Sequence, residues 1–117
     1  WLKKSLETIM RTLQKITTEK ELNEILKERK RKNFSVLYYS LWCNHCKRIL
    51  KMAEDWKDQE GSETVYLVNS WDLPASFASF SITNSPSLVH LVNKKVRVDV
   101  EFPKIYNFFH FTPQENS

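Results

Sequence analysis

Apolar residues recur along this chain with two spacings, one helical and one alternating. Leu2, Leu6, Ile9, Met10 and Leu13 stand on one helical face, which predicts a helix over residues 1–13. That helix is expected to end near Gln14 to Thr17, or to give way to a short strand over 13–17. Thr18-Glu19-Lys20-Glu21 then reads as a capping box, in which the Thr hydroxyl takes a free amide of the first turn and the Glu three positions on reaches back. Leu22, Ile25 and Leu26 mark the inner face of the helix that follows, and the run Lys27-Glu28-Arg29-Lys30-Arg31-Lys32 closes it.

Phe34-Ser35-Val36-Leu37-Tyr38-Tyr39 is β-branched and aromatic with little alternation, as in a strand buried on both faces. Beyond it, Ile49, Leu50, Ala53 and Trp56 fall 3, 4, 7 and 10 positions after Cys46, a helix with Cys46 on its buried stripe. Gly61 and Ser62 end that unit, and Thr64-Val65-Tyr66-Leu67-Val68 is a second buried strand. Strand, helix and strand in this order make a βαβ unit with parallel strands. A short helix is expected over 72–80, with Leu73, Phe77 and Phe80 inward, and then a strand over 88–92. Asn93-Lys94 reads as a turn into the alternating Val96, Val98, Val100 and Phe102, a hairpin partner. Pro103 suits the first turn of a last helix with Ile105, Phe108 and Phe109 on its core face, and residues 112–117 form a polar tail. The pattern predicts an α/β fold: a central mixed β-sheet with helices on both faces, and an extra N-terminal helix.

Composition narrows the function. At 117 residues the chain suits one compact domain, and 41% hydrophobic residues suffice for a core. It opens on Trp1 without a Met, as expected of an excerpt or a processed form. No apolar run approaches the ~20 residues of a membrane-spanning helix, so no membrane contact by this segment is expected. The net charge of +4 sits largely in residues 27–32, which read as the solvated end of a helix. With no second basic cluster or stacking platform, no nucleic-acid partner is expected. A single glycine in the chain leaves no Gly-rich phosphate loop or dinucleotide fingerprint.

The remaining chemistry lies in the two cysteines, Cys43 and Cys46. A structural zinc needs about four ligands. The other candidates are His45, His90 and His110, and His45, between the cysteines, cannot easily join the same tetrahedron. No metal is therefore expected. As a redox pair the spacing does more. Cys43 precedes a helix, where unpaired amides and the dipole favour its thiolate. Cys46 lies one turn in, shielded but close enough to bond to it. Cys43 then attacks a partner and Cys46 resolves the mixed disulfide. His45, when protonated, favours the thiolate and the reduced form. No cofactor is needed.

Residues 38–48, Tyr38-Tyr39-Ser40-Leu41-Trp42-Cys43-Asn44-His45-Cys46-Lys47-Arg48, resemble the active-site segment of the thioredoxin superfamily. In particular they resemble protein disulfide isomerase domains, which carry an aromatic-rich strand and then Trp-Cys-x-His-Cys-Lys. Ser85-Pro86-Ser87-Leu88 resembles the family's cis-proline loop, which offers backbone groups to an extended substrate. The resemblance runs from about residue 16 to 111. It implies a thioredoxin fold over 16–117, with 1–15 as an N-terminal helix or a linker from a preceding region. It implies thiol–disulfide exchange on protein substrates, with Cys43, Cys46 and His45 catalytic and Trp42, Ser85 and Pro86 on the substrate side. It points to the lumen of the endoplasmic reticulum, with the cytosol as alternative, and neighbouring domains of the same chain are further candidate partners. Three positions depart from the family pattern. Asn44 replaces the usual glycine, and Lys51 a common helix-kinking proline. Leu37, six before Cys43, replaces the buried acid that takes the proton of the resolving cysteine, so slowed turnover is expected. Plainer alternatives stand beside these roles: inert structural cysteines, Trp42 as packing, His45 as a surface residue, Pro86 in an ordinary trans turn. The whole would then be a non-catalytic module of the same fold that holds clients or partner domains.

Overall fold

The computed structural model describes residues 10–28, 33–69, 71–73, 85–92 and 95–111. Within them run β1 (Thr12–Ile16), α1 (Glu19–Lys27), β2 (Phe34–Tyr39), α2 (Asn44–Lys57), β3 (Thr64–Asn69), β4 (Ser87–Val92), β5 (Lys95–Asp99) and α3 (Phe102–Phe111). The strands form one mixed sheet in the order β1-β3-β2-β4-β5. β1 and β2 both run parallel to β3, whereas β4 is antiparallel to β2 and β5 to β4.

β2 lies at the centre, and all six of its residues are buried. Its side chains alternate between two cores, as the pleat requires. Phe34, Val36 and Tyr38 join Ile16, Leu22, Val68, Val89 and Leu91 on the α1 face. Leu37 and Tyr39 join Cys46, Ile49, Trp56, Leu88, Ile105 and Phe109 on the α2 and α3 face. The capping box at α1 forms as expected on the Thr18 side, where the hydroxyl accepts from the Glu21 amide at 3.2 Å. The Glu21 carboxylate accepts from Thr17 N–H rather than from Thr18, at 3.5 Å.

Of the two expectations for the segment after the N-terminal helix, the short strand over 13–17 is the one that forms: β1 begins one residue earlier, at Thr12, and its register pairs Thr12 with Thr64 and Ile16 with Val68. Met10 already bridges Glu60. Pairing with β3 decides for the strand, and the sheet begins four residues before position 16. The β4–β5 hairpin is present, but as the edge strand β5 leaves Val96 and Val98 more than a third exposed. Outside the described residues lie residues 1–9 of the expected N-terminal helix, 29–32 of the basic run, 74–80 of the helix expected over 72–80, the turn at 93–94 and the tail over 112–117.

Candidate active site

The site is built where β2 hands over to α2. Leaving the sheet at Tyr39, the chain turns on Ser40, whose hydroxyl accepts from Trp42 N–H at 3.2 Å and whose carbonyl accepts from Cys43 N–H at 3.3 Å. Cys43 has the extended backbone of a helix N-cap, φ −98° and ψ 122°. Its sulfur accepts from Cys46 N–H at 3.2 Å. The Cys43 thiol thus does what a Ser or Asp does at most helix starts, and lies in the field of the first-turn amides. No acidic residue occupies that turn.

Across the sheet end, the loop before β4 closes on the same sulfur. The Cys43 S–H donates to the Ser85 carbonyl at 3.3 Å, and the Ser85–Pro86 peptide bond is cis. Both thiols are free, Cys43 half-buried and Cys46 fully buried. Cys46 sits among Leu37, Tyr39, Ile49 and Leu88. There its thiol is pushed up to about 12, chiefly by loss of water and then by contact with Cys43, against a backbone hydrogen bond with Ser40. Leu37 is fully buried in this cluster and offers no proton acceptor.

The other expected residues take different places. Trp42 stands beside Cys43 with 85% of its surface exposed. His45 is exposed and stacks its ring 4.4 Å from that of Phe102, the first residue of α3. Cys43 therefore touches both Cys46 and Ser85, with Pro86 and Trp42 adjoining in sequence, whereas the His45 ring rests on α3. Sequence reasoning passed over Ser40 and the loop after β3. Ser40 carried a readable signal, a serine two positions before the Trp amide that it caps. In the loop, Asp72 N–H and Leu73 N–H donate to the Asn69 carbonyl, and Trp71 is 79% exposed. Burial raises the Tyr39 phenol, and the charges of Asp72 and Cys46 add to this, so that loop borders the site. Among the described residues, no three His, Cys, Asp or Glu side chains converge as a metal would require. No helix among them is long and apolar enough to cross a membrane. A cleft of about 690 Å³ lies at the opposite end of the sheet, lined by Ser35, His90, Arg97 and Phe108 among others, away from the cysteines.

A family model described as Thioredoxin matches residues 13–105. The chain belongs to the thioredoxin family. Solved thioredoxins share the fold at low identity. The reduced thioredoxin pre-protein of Schistosoma mansoni has 18% identity and a TM-score of 0.68 over 87% of this chain and 99% of its own. Thioredoxin from Malassezia sympodialis has 17% identity and a TM-score of 0.69 over 86% of this chain and 90% of its own. Thioredoxin O2 from Arabidopsis thaliana, in the oxidised state, has 15% and 0.66 over 86% of this chain and 94% of its own. No curated protein sequence gives a significant match. In thioredoxin terms, the pair of cysteines at the start of α2 and the cis Ser85–Pro86 bond are both present, and the buried residue six before Cys43 is Leu37.

Proposed function

We propose that this domain is a protein thiol–disulfide oxidoreductase of the disulfide isomerase type, with a slow resolving step. The observation that carries the reading is the placement of Cys43 Sγ: half-buried, on the α2 amides, 3.3 Å from the Ser85 carbonyl and one turn from Cys46. In the proposed reaction the Cys43 thiolate attacks one sulfur of a substrate disulfide. The substrate S–S bond breaks, a mixed disulfide forms, and the departing sulfur leaves as a thiolate that takes a proton from water. Cys46, once deprotonated, attacks Cys43 Sγ. The Cys43–Cys46 disulfide forms and the second substrate sulfur leaves, so that the substrate gains two electrons and the domain loses two. A low-molecular-weight thiol returns the domain to the dithiol. Run backwards, the same steps oxidise a substrate dithiol. Trp42 and the Ser85-Pro86 backbone flank the attacked sulfur, and a charged His45 adds a positive group at the same helix start.

Resolution is the slow step because the nucleophile is the thiolate. The Cys46 thiol is pushed up to about 12 in the dithiol, chiefly by burial, so little of it is ionised at pH 7. Burial, the largest cause, persists in the mixed disulfide, and Leu37 supplies no base. A disulfide isomerase type domain with His45 suits an oxidising lumen, so we assign it to the endoplasmic reticulum. A second reading, a client-holding module, draws support from the same burial of Cys46 and from the exposed Trp42. Replacing Cys46 by Ala and isolating proteins held covalently through Cys43 separates the two. Accumulation of mixed disulfides is the expected result. If none form, the domain holds clients without exchange chemistry. The reduction potential of the couple then tests the compartment, with a value near that of the lumenal thiol pool expected.

A further inference from the structure

Beyond the cysteines, the first ten residues of α2 carry charge of one sign. Lys47, Arg48 and Lys51 are all exposed, and the first acid along the helix is Glu54. Counted from the N-cap, Cys43, Lys47 and Lys51 fall four apart and share one helical face. At 1.5 Å per residue they stand about 6 and 12 Å along the axis from Cys43. An extended peptide advances about 3.3 Å per residue. On a peptide that leaves Cys43 along α2, a side chain two to four residues from the docked sulfur comes level with these cations. Among the described residues few acids oppose them: on the same row the first is Asp55, one turn beyond Lys51. Glu101 is paired with Lys104 at 3.7 Å, and Asp72 lies on the Tyr39 side. The α2 dipole adds to the positive field.

We propose that this face selects cysteine segments carrying carboxylates two to four residues from the reacting sulfur, so that the favoured partners are acidic stretches of protein. The inference rests on the exchange reaction proposed above and adds a specificity to it. Charge complementarity of this kind acts mostly on the rate of encounter and is screened by salt.

The test uses the reduced wild-type domain and two symmetrical peptide disulfides, identical except for Glu or Lys at the second and fourth positions from the cysteine. Rates of peptide thiol release are followed by mass spectrometry at about 20 mM and about 0.5 M ionic strength. The acidic peptide is expected to react at least about fivefold faster at low salt, with the two rates converging at high salt. In the folded double variant Lys47→Glu, Lys51→Glu, folding being checked by circular dichroism, the preference is expected to reverse. Equal rates for both peptides in the wild-type domain, or a preference that salt does not touch, overturn the selectivity and leave the exchange reaction standing. Absence of reaction with either peptide sinks the exchange reaction, and the selectivity falls with it.

Discussion

At the position six before Cys43, Leu37 places a fully buried alkyl group in the cluster that holds Cys46. Leu37→Glu is expected to raise the rate of the resolving step by about 10- to 100-fold, because it sets a proton acceptor near Cys46. The same change lowers stability, since a carboxyl group loses its water there. Single-turnover reduction of a model protein disulfide, alongside a urea titration, reads both effects. An unchanged rate in a folded variant means that another group already moves that proton. The pH dependence of the wild-type domain probes the same step. With the Cys46 thiol pushed up to about 12, its thiolate fraction grows about tenfold per pH unit between pH 7 and 9. Release of a partner held on Cys43 should climb in proportion, and a flat profile would place the slow step elsewhere.

Where α2 returns to the sheet, a buried arginine joins the elements. Arg11, just before β1, is buried, donates to Glu63 at 2.9 Å and to Gln59 at 3.0 Å, and lies 5.1 Å over the Trp56 ring. Gly61 passes directly beside this pair. A Cβ added there would come within 2.5 Å of the Glu63 carboxylate and 2.8 Å of Arg11 Nε. The need is for space, since Gly61 does not have a positive φ. Gly61→Ala is expected to cost about 1–3 kcal/mol by displacing the Arg11–Glu63 pair, read as a shift of the urea midpoint. A midpoint equal to that of the wild type would show that the Glu63 side chain swings aside freely. The glycine was visible in the sequence as the end of a unit. Its crowding was not, because Arg11 lies fifty positions away.

Across the whole molecule, the two ends of the sheet carry separate chemistry. The cysteines occupy the end where β2 finishes. About 13 Å back along β2, Ser35 begins a polar row. Its register runs Ser35, His90 and Arg97 across three strands. Ser35 Oγ lies 2.8 Å from His90 Nδ1, and His90 Nε2 lies 3.0 Å from the Asp99 carboxylate. Burial, and secondarily Arg97, hold the His90 imidazole below its ordinary 6.5, against Asp99. The unfolded chain therefore takes up this proton at a higher pH than the folded one. This contribution to stability is fully present above 6.5 and is lost as the pH falls through the lower folded value. His90→Asn, which cannot titrate, is expected to lose less stability than the wild type between about pH 7.5 and about pH 5.5. Its rate of disulfide exchange should stay within about twofold of the wild type, given the separation of the two ends. Denaturation at the two pH values and the exchange assay together check this, and a slowed exchange would show that the two ends are coupled.

The sequence by itself determined the features that depend on neighbours within one helical turn or along one strand. These are the Thr18 cap, the buried stripe of α2, the doubly buried β2 and the division of Cys43 and Cys46 into a helix-start sulfur and a buried one. The motif at 42–47 and Pro86 pointed to the fold for the same reason, since short local patterns carried them. Only the tertiary structure decided the rest. Pairing with β3 decided that residues 12–16 form a strand, where the local spacing leaves a helix end or a short strand open. Packing against α3 set His45 on Phe102, and the loop before β4 brought the Ser85 carbonyl to Cys43 across 42 residues. Leu37 was readable as an odd residue, but its place beside a fully buried Cys46 came from the core that β2, α2 and α3 close together. Contacts between residues far apart in the chain leave no periodic trace in it, and at this site they set the proton chemistry.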